Sequence, residues 1–110
     1  MDAQAIIQSY GPLPLKQAFS APADGPVVFF ISGSAWSSSA NSWIGISVQL
    51  DGTEIGTASV YCNEVASHRA LISNLVTVNL SFGNHTISIT PTTPNTNTDQ
   101  NDAFFVTLMY

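Results

Sequence analysis

Residues Asn74-Leu75-Val76-Thr77-Val78-Asn79-Leu80-Ser81-Phe82, Gly83-Asn84 and His85-Thr86-Ile87-Ser88-Ile89-Thr90 form two alternating runs around a Gly-Asn pair. Gly takes the positive φ that a tight two-residue reversal requires, so the pattern predicts a hairpin. In that register Leu80 faces Ile87 and Val78 faces Ile89. One face then carries Val78, Leu80, Ile87 and Ile89. The other carries Thr77, Asn79, Ser81, Thr86, Ser88 and Thr90. A slip of one residue would put every apolar side chain in water. A half-buried antiparallel pair of this kind predicts an all-β fold for the rest.

Working outward, Asp51-Gly52 is the second strong reversal signal. It joins Trp43–Leu50, with Ile44, Ile46, Val48 and Leu50 on one face, to a strand beginning at Thr53. The predicted register sets Val48 against Ile55, Gly45 against Ala58, and Trp43 against Val60, with Gly56 marking a bulge. The non-core face of this hairpin has a large pair at one end and small residues in its middle. Val27-Val28-Phe29-Phe30-Ile31 is apolar on both sides and suits a central strand. The last strand runs from Ala103 to Tyr110, with Phe104, Val106, Leu108 and Tyr110 on one face and Phe105, Thr107 and Met109 on the other.

Residues 3–9 fit a short strand or a helical turn, and residues 15–19 an edge strand. Residues 32–42 and 91–102 read as polar loops, and the course of 61–70 is not legible. The total is about eight strands in a single antiparallel jelly-roll sandwich domain over residues 1–110.

Composition narrows the function. The 110 residues are 45% apolar but only 8% charged, against about 25% charged in ordinary domains. Solubility rests on Ser, Thr, Asn and Gln. Two basic residues, Lys16 and Arg69, cannot neutralise a row of phosphates, which argues against nucleic acid and against an anionic membrane surface. No stretch is long and apolar enough for membrane insertion. Cys62 is the one cysteine, so no intrachain disulfide forms, and it reads as an inert core thiol. Met1-Asp2 opens no signal peptide, which leaves a virion, non-classical export or the cytoplasm as compartments.

The segments Asn63-Glu64, Ser67-His68-Arg69-Ala70-Leu71, Gly83-Asn84-His85-Thr86-Ile87, Thr98-Asp99-Gln100-Asn101-Asp102 and Phe105-Val106-Thr107-Leu108 resemble small jelly-roll modules of the C1q and tumour-necrosis-factor type. Modules of that kind occur in bacterial proteins of unknown role and at phage tail tips. The resemblance spans residues 27–110 and implies a homotrimer with the C-terminal strand near the threefold axis. The residues point to association independently, because Phe105, Met109 and part of 27–31 have an apolar side to cover. Trp43, Phe105 and Met109 are the expected interface residues.

No nucleophile signature accompanies His68 or His85, and no acid, base and nucleophile converge, so the expectation is a non-enzyme. His85 is expected to bond the turn backbone and His68 to bond its loop. Trp36 in a Ser-rich segment, with Asn41, Asn97 and Asp99, forms the expected ligand-binding set. An aromatic plate with short amide and carboxylate groups suits a sugar ring or a cell-surface receptor; folding of Trp36 over the sandwich end is the competing reading. Asn97, Asp99, Asn101 and Asp102 offer oxygens of the kind calcium takes, but no Gly marks the sharp turn and no Glu closes the loop, and Asx-turns account for the same residues. No other cofactor is indicated. The sequons Asn79-Leu80-Ser81 and Asn84-His85-Thr86 are explained by strand and turn chemistry. The functional expectation is a trimeric module binding a carbohydrate or cell-surface receptor. The alternative is a purely structural assembly subunit of a phage tail or surface appendage.

Overall fold

The computed structural model describes residues 1–110. The strands are β1 (Ala3–Tyr10), β2 (Leu15–Ala21), β3 (Gly25–Ser37), β4 (Ser42–Leu50), β5 (Thr53–Cys62), β6 (Arg69–Ala70), β7 (Asn74–Leu80), β8 (Gly83–Pro91), β9 (Thr96–Asn97) and β10 (Ala103–Met109). No helix long and apolar enough to cross a membrane is present. The first sheet is built on β3, which pairs with β10, β7 and the short β6 and β9, while β1 pairs with β10. The second has the order β2-β8-β4-β5. All pairs are antiparallel. The sheets pack face to face as a jelly-roll sandwich, in agreement with the all-β expectation.

Alternation builds the core. From the first sheet Val27, Phe29, Ile31, Phe104, Val106 and Leu108 point inward; from the second Ile44, Ile46, Val48, Ile87 and Ile89 meet them. Phe19 sets its ring edge-on to Phe29, 6.3 Å between centroids. Cys62 is fully buried. The double-sided apolar run 27–31 lies within the central β3 as expected, and residues 3–10 form a strand.

The hairpin expected at 74–90 is corrected. β7 and β8 lie in different sheets: Val78 pairs with Val27 and Leu80 with Gly25, while Ile89 pairs with Leu15 and Val48, and Ile87 with Leu50. Ser81 and Phe82 carry the chain across the core, and Gly83 supplies the swing at φ +110°. Residues 22–24 make the same crossing between β2 and β3, and Asp24 Oδ1 accepts from the Phe82 N–H at 2.6 Å, tying the two crossings together. Leu80, Ile87 and Ile89 are buried as the alternation requires. Strands that face each other across a core satisfy that requirement as well as strands side by side. The central β3 needs a neighbour at each edge, and β7 supplies one of them.

The reversal at Asp51-Gly52 does make a hairpin, with Leu50 opposite Thr53 and both turn residues at positive φ. Its register then shifts: Val48 pairs with Gly56 and Gln49 with Glu54, leaving Ile55 as the extra residue. Beyond this bulge Gly45 faces Ser59 and Trp43 faces Tyr61, one residue on from the predicted Ala58 and Val60. The loop expected at 32–42 shrinks to a turn at 38–41, because β6 and β9 extend the ladder of β3 to Ser37.

Candidate functional site

At the end of the sandwich where β3 finishes, three segments converge: the end of β3, the loop before β6, and the loop between β9 and β10. Trp36 pairs with Asn97 across β3 and β9. The His68 ring stands 6.3 Å from the Trp36 ring at a 50° tilt. His68 Nε2 lies 3.6 Å from Asp99 Oδ2. Of the expected ligand set, the structure thus gathers Trp36, Asn97 and Asp99 at one end of the outer side of the first sheet. Asn41 stands apart at the exposed tip of the 38–41 turn, with φ 53°. Trp36 is half-buried, and its indole N–H meets no acceptor within the chain.

Asp102 is the buried centre of this end, fully removed from solvent. Its Oδ1 accepts from Ser34 Oγ at 2.8 Å and contacts His68 Nδ1 at 2.8 Å, and its Oδ2 accepts from the Asp99 N–H at 2.9 Å. Its carbonyl accepts from the Gly11 N–H at 2.8 Å, which brings in the β1–β2 connection. A buried carboxylate is tolerable only when its lone pairs are engaged in this way. The hydrogen bond to Asp102, helped by the negative charges of Asp102 and Asp99, raises the His68 pKa above its ordinary 6.5 against the opposing pull of burial. The two carboxylates therefore favour the protonated form of His68, beside the Trp36 ring.

Ser34, His68 and Asp102 do not form a nucleophile and its base. Ser34 donates to the carboxylate and makes no hydrogen bond to His68, so that contact gives the imidazole no route to the serine proton. Of the groups considered for calcium, Asp102 is engaged as above, and Asp99 and Asn97 make bonds within the loop. Asp99 Oδ1 accepts from the Asn101 N–H at 2.8 Å, an Asx-turn, and Asn97 Nδ2 donates to the Asn95 carbonyl at 3.0 Å. His68, Asp99 and Asp102 have ligand atoms within 4.8 Å of one another, and their shortest contact is the His68–Asp102 hydrogen bond. Sequence reasoning left out Ser34 and His68 as partners of Asp102. They lie 68 and 34 residues away from their contacts in the chain, and no local pattern links them.

His85, at the opposite end, is held at both ring nitrogens. Nδ1 meets Asp51 Oδ2 at 2.6 Å and Nε2 meets the Ser81 carbonyl at 2.7 Å, with the ring stacked on Phe19. The ring bonds the turn backbone as expected; its aromatic neighbour is Phe19, and Phe82 is exposed.

The expected interface residues divide between the two sheets. Phe105 and Met109 lie on the outer side of the first sheet, where Met109 pairs with Val28, and Phe30 with both Thr107 and Leu75. Phe105 is 38% and Leu75 62% exposed. A groove of about 440 Å³ opens there, lined by Met1, Pro26, Val28, Leu75, Met109 and Tyr110 among others. Trp43 is on the outer side of the second sheet, so no single face holds all three expected residues.

No protein-family model and no curated protein matches the sequence. Solved structures do resemble the fold. A tumour necrosis factor, Eiger, from S. frugiperda superposes with a TM-score of 0.60 at 7% identity, over 86% of this chain and 64% of that one. A family 35 carbohydrate binding module from Clostridium thermocellum gives 0.56 at 10% identity, over 97% and 91%. A β-glucosidase from Paenibacillus barengoltzii gives 0.61 at 10% identity, over 98% of this chain but only 10% of that enzyme. At these identities the likeness is one of fold, and the tumour-necrosis-factor resemblance read from the sequence holds at that level.

Proposed function

We propose that the protein is a non-enzymatic binding module that assembles as a homotrimer through the outer side of its first sheet. Its loop end, with Trp36, Asn97 and Asp99, and Asn41 on the separate 38–41 turn, meets a carbohydrate or a cell-surface receptor. The carrying observation is the apolar cluster of Val28, Phe30, Leu75, Phe105 and Met109, interleaved with Thr77 and Thr107 and free of charge, on a chain whose core is already complete. A patch of this kind on a 110-residue chain is what association covers. The fold likeness to a tumour necrosis factor and to a carbohydrate binding module supports a binding role. Trp36 beside amide and carboxylate groups supports the ligand class.

Light scattering on the eluting protein is expected to give three chain masses. Phe105→Asp combined with Met109→Asp is expected to give one, with the fold kept. A monomer at tens of micromolar in the unaltered protein would overturn the assembly. A trimer that binds no glycan and no cell surface would leave the purely structural role, since the apolar cluster serves it equally well.

A further inference from the structure

The outer side of the second sheet carries an aromatic corner that the reading above does not use. Trp43 and Tyr61 face each other across β4 and β5, with ring centroids 5.5 Å apart and planes at 71°. They are 60% and 42% exposed, while the adjacent Ile44 is buried. Two strand residues further on is Gly45. A Cβ there would stand 2.5 Å from Ser59 Oγ and 3.1 Å from Thr92 Oγ1. The Ser59 and Thr92 hydroxyls, with the Ala58 carbonyl, therefore close around a position that has no room for a side chain. The loop after β8 is fastened to this strand: the Thr92 N–H donates to the Gly45 carbonyl at 2.9 Å, and Thr93 Oγ1 donates to the Trp43 carbonyl at 3.3 Å. The result is an aromatic wall beside a shallow hydroxyl floor, held on paired strands.

We infer that this corner is a binding site for a neutral saccharide. A pyranose has one face of C–H groups and a rim of hydroxyls. The Trp43 and Tyr61 rings take the face, and Ser59, Thr92, the tyrosine hydroxyl and the indole N–H take the rim. Large aromatics are buried on average, so two side by side in water on rigid strands are costly to leave uncovered and ready to bind without reordering. Trp43, Tyr61, Gly45, Ser59 and Thr92 carry no charge, so a phosphate, sulfate or uronate finds no cation here. This inference shares only its ligand class with the proposed function. The Trp36 end lies on the opposite sheet, so each can fail without the other.

Trp36 and Trp43 are the two tryptophans, so in a Trp36→Phe protein the emission reports Trp43 alone. Titration of that variant with neutral hexasaccharides of gluco, xylo, manno and galacto configuration, beside sulfated controls, is expected to show saturable change with at least one neutral sugar and none with the sulfated ones. Calorimetry with that sugar on the Trp36-containing protein should show affinity falling tenfold or more in Trp43→Ala and in Tyr61→Ala. It should fall only a few-fold in Ser59→Ala and stay within about twofold in Trp36→Ala. Trp43→Phe should retain most of the binding, and unchanged thermal unfolding of each variant verifies the fold. No response to any neutral sugar at about 10 mM, or undiminished binding in Trp43→Ala, overturns the site. Binding lost in Trp36→Ala but kept in Trp43→Ala overturns it too, and leaves the loop-end reading standing.

Discussion

On the outside of the first sheet Val28, Phe30, Leu75, Phe105 and Met109 lie side by side; on the outside of the second, Ser47, Gln49, Glu54, Ser88 and Thr90 do. The second face is cross-linked. Ser47 Oγ donates to Glu54 Oε1 at 2.6 Å, Gln49 Nε2 donates to Thr90 Oγ1 at 3.1 Å, and Ser88 Oγ donates to Gln49 Oε1 at 3.1 Å. Both faces obey one alternation rule, which settles only that these residues point outward. Residue type decides what covers them. The polar lattice is complete in water, whereas the apolar cluster gains by meeting protein. In an assembly that covers the first sheet, the second faces out, and each copy presents its Trp43–Tyr61 corner. Linked copies raise avidity without any new contact.

The contrast can be broken at three depths. Beneath both faces lies one core, so Ile31→Ala under the first and Ile46→Ala under the second, each fully buried, should each cost about 2–5 kcal/mol in urea unfolding at matched concentration. A cost below about 1 kcal/mol for either would mean that its sheet is not packed on a shared core. At the surface, Ser47→Ala should cost about 1 kcal/mol through its lost hydrogen bonds. Thr77→Ala, on the first face, should stay within about 0.5 kcal/mol. Equal effects would erase the distinction between a linked and an unlinked face.

The smallest effect is a dependence on pH. Both His85 nitrogens face acceptors, and its pKa is raised above 6.5, chiefly by Asp51 and then by the Ser81 carbonyl. That stabilisation is full below about pH 6.5 and is lost as pH rises through the raised folded value; His68 acts in the same direction through Asp102. Asp51 is held below 3.8, chiefly by its hydrogen bond to His85, so its contribution is present above that value and lost as pH falls through the lowered one. The unfolding temperature should therefore decline as pH rises above about 6.5. His85→Gln should flatten part of the decline and His68→Gln another part. An unchanged slope in both variants would assign it to other groups.

Inward and outward residues were legible along most strands, because alternation along one strand is a local property; β5 beyond its bulge is the exception, where Ala58, read as outward, is buried. Phe104, Val106 and Leu108 are buried as read, and Asp51-Gly52 reverses the chain as read. Strand partners were less legible. The runs around Gly83 look the same whether they lie side by side or face each other across a core, and the answer came from β3, some fifty residues earlier in the chain. The clue lay in the turn cluster Pro22–Pro26, a second crossing at the same end, stitched to the first by Asp24. The loop end was half legible. Trp36, Asn97 and Asp99 do gather, while the buried carboxylate beneath them joins segments that no spacing rule connects.

The extra residue at Ile55 acts on the second face as a parity switch. A bulge residue in one strand of a pair moves every later residue of that strand one place along its partner, and so decides which of them reach the outer face. Without the bulge, with Ile55 paired to Val48 in a regular ladder, Trp43 would stand opposite an aliphatic valine and Gly45 opposite an alanine. With it, a tyrosine and a serine hydroxyl arrive instead. Deleting Ile55 would straighten the ladder while keeping Trp43 opposite Tyr61 and Gly45 opposite Ser59, because Val48 would still meet Gly56.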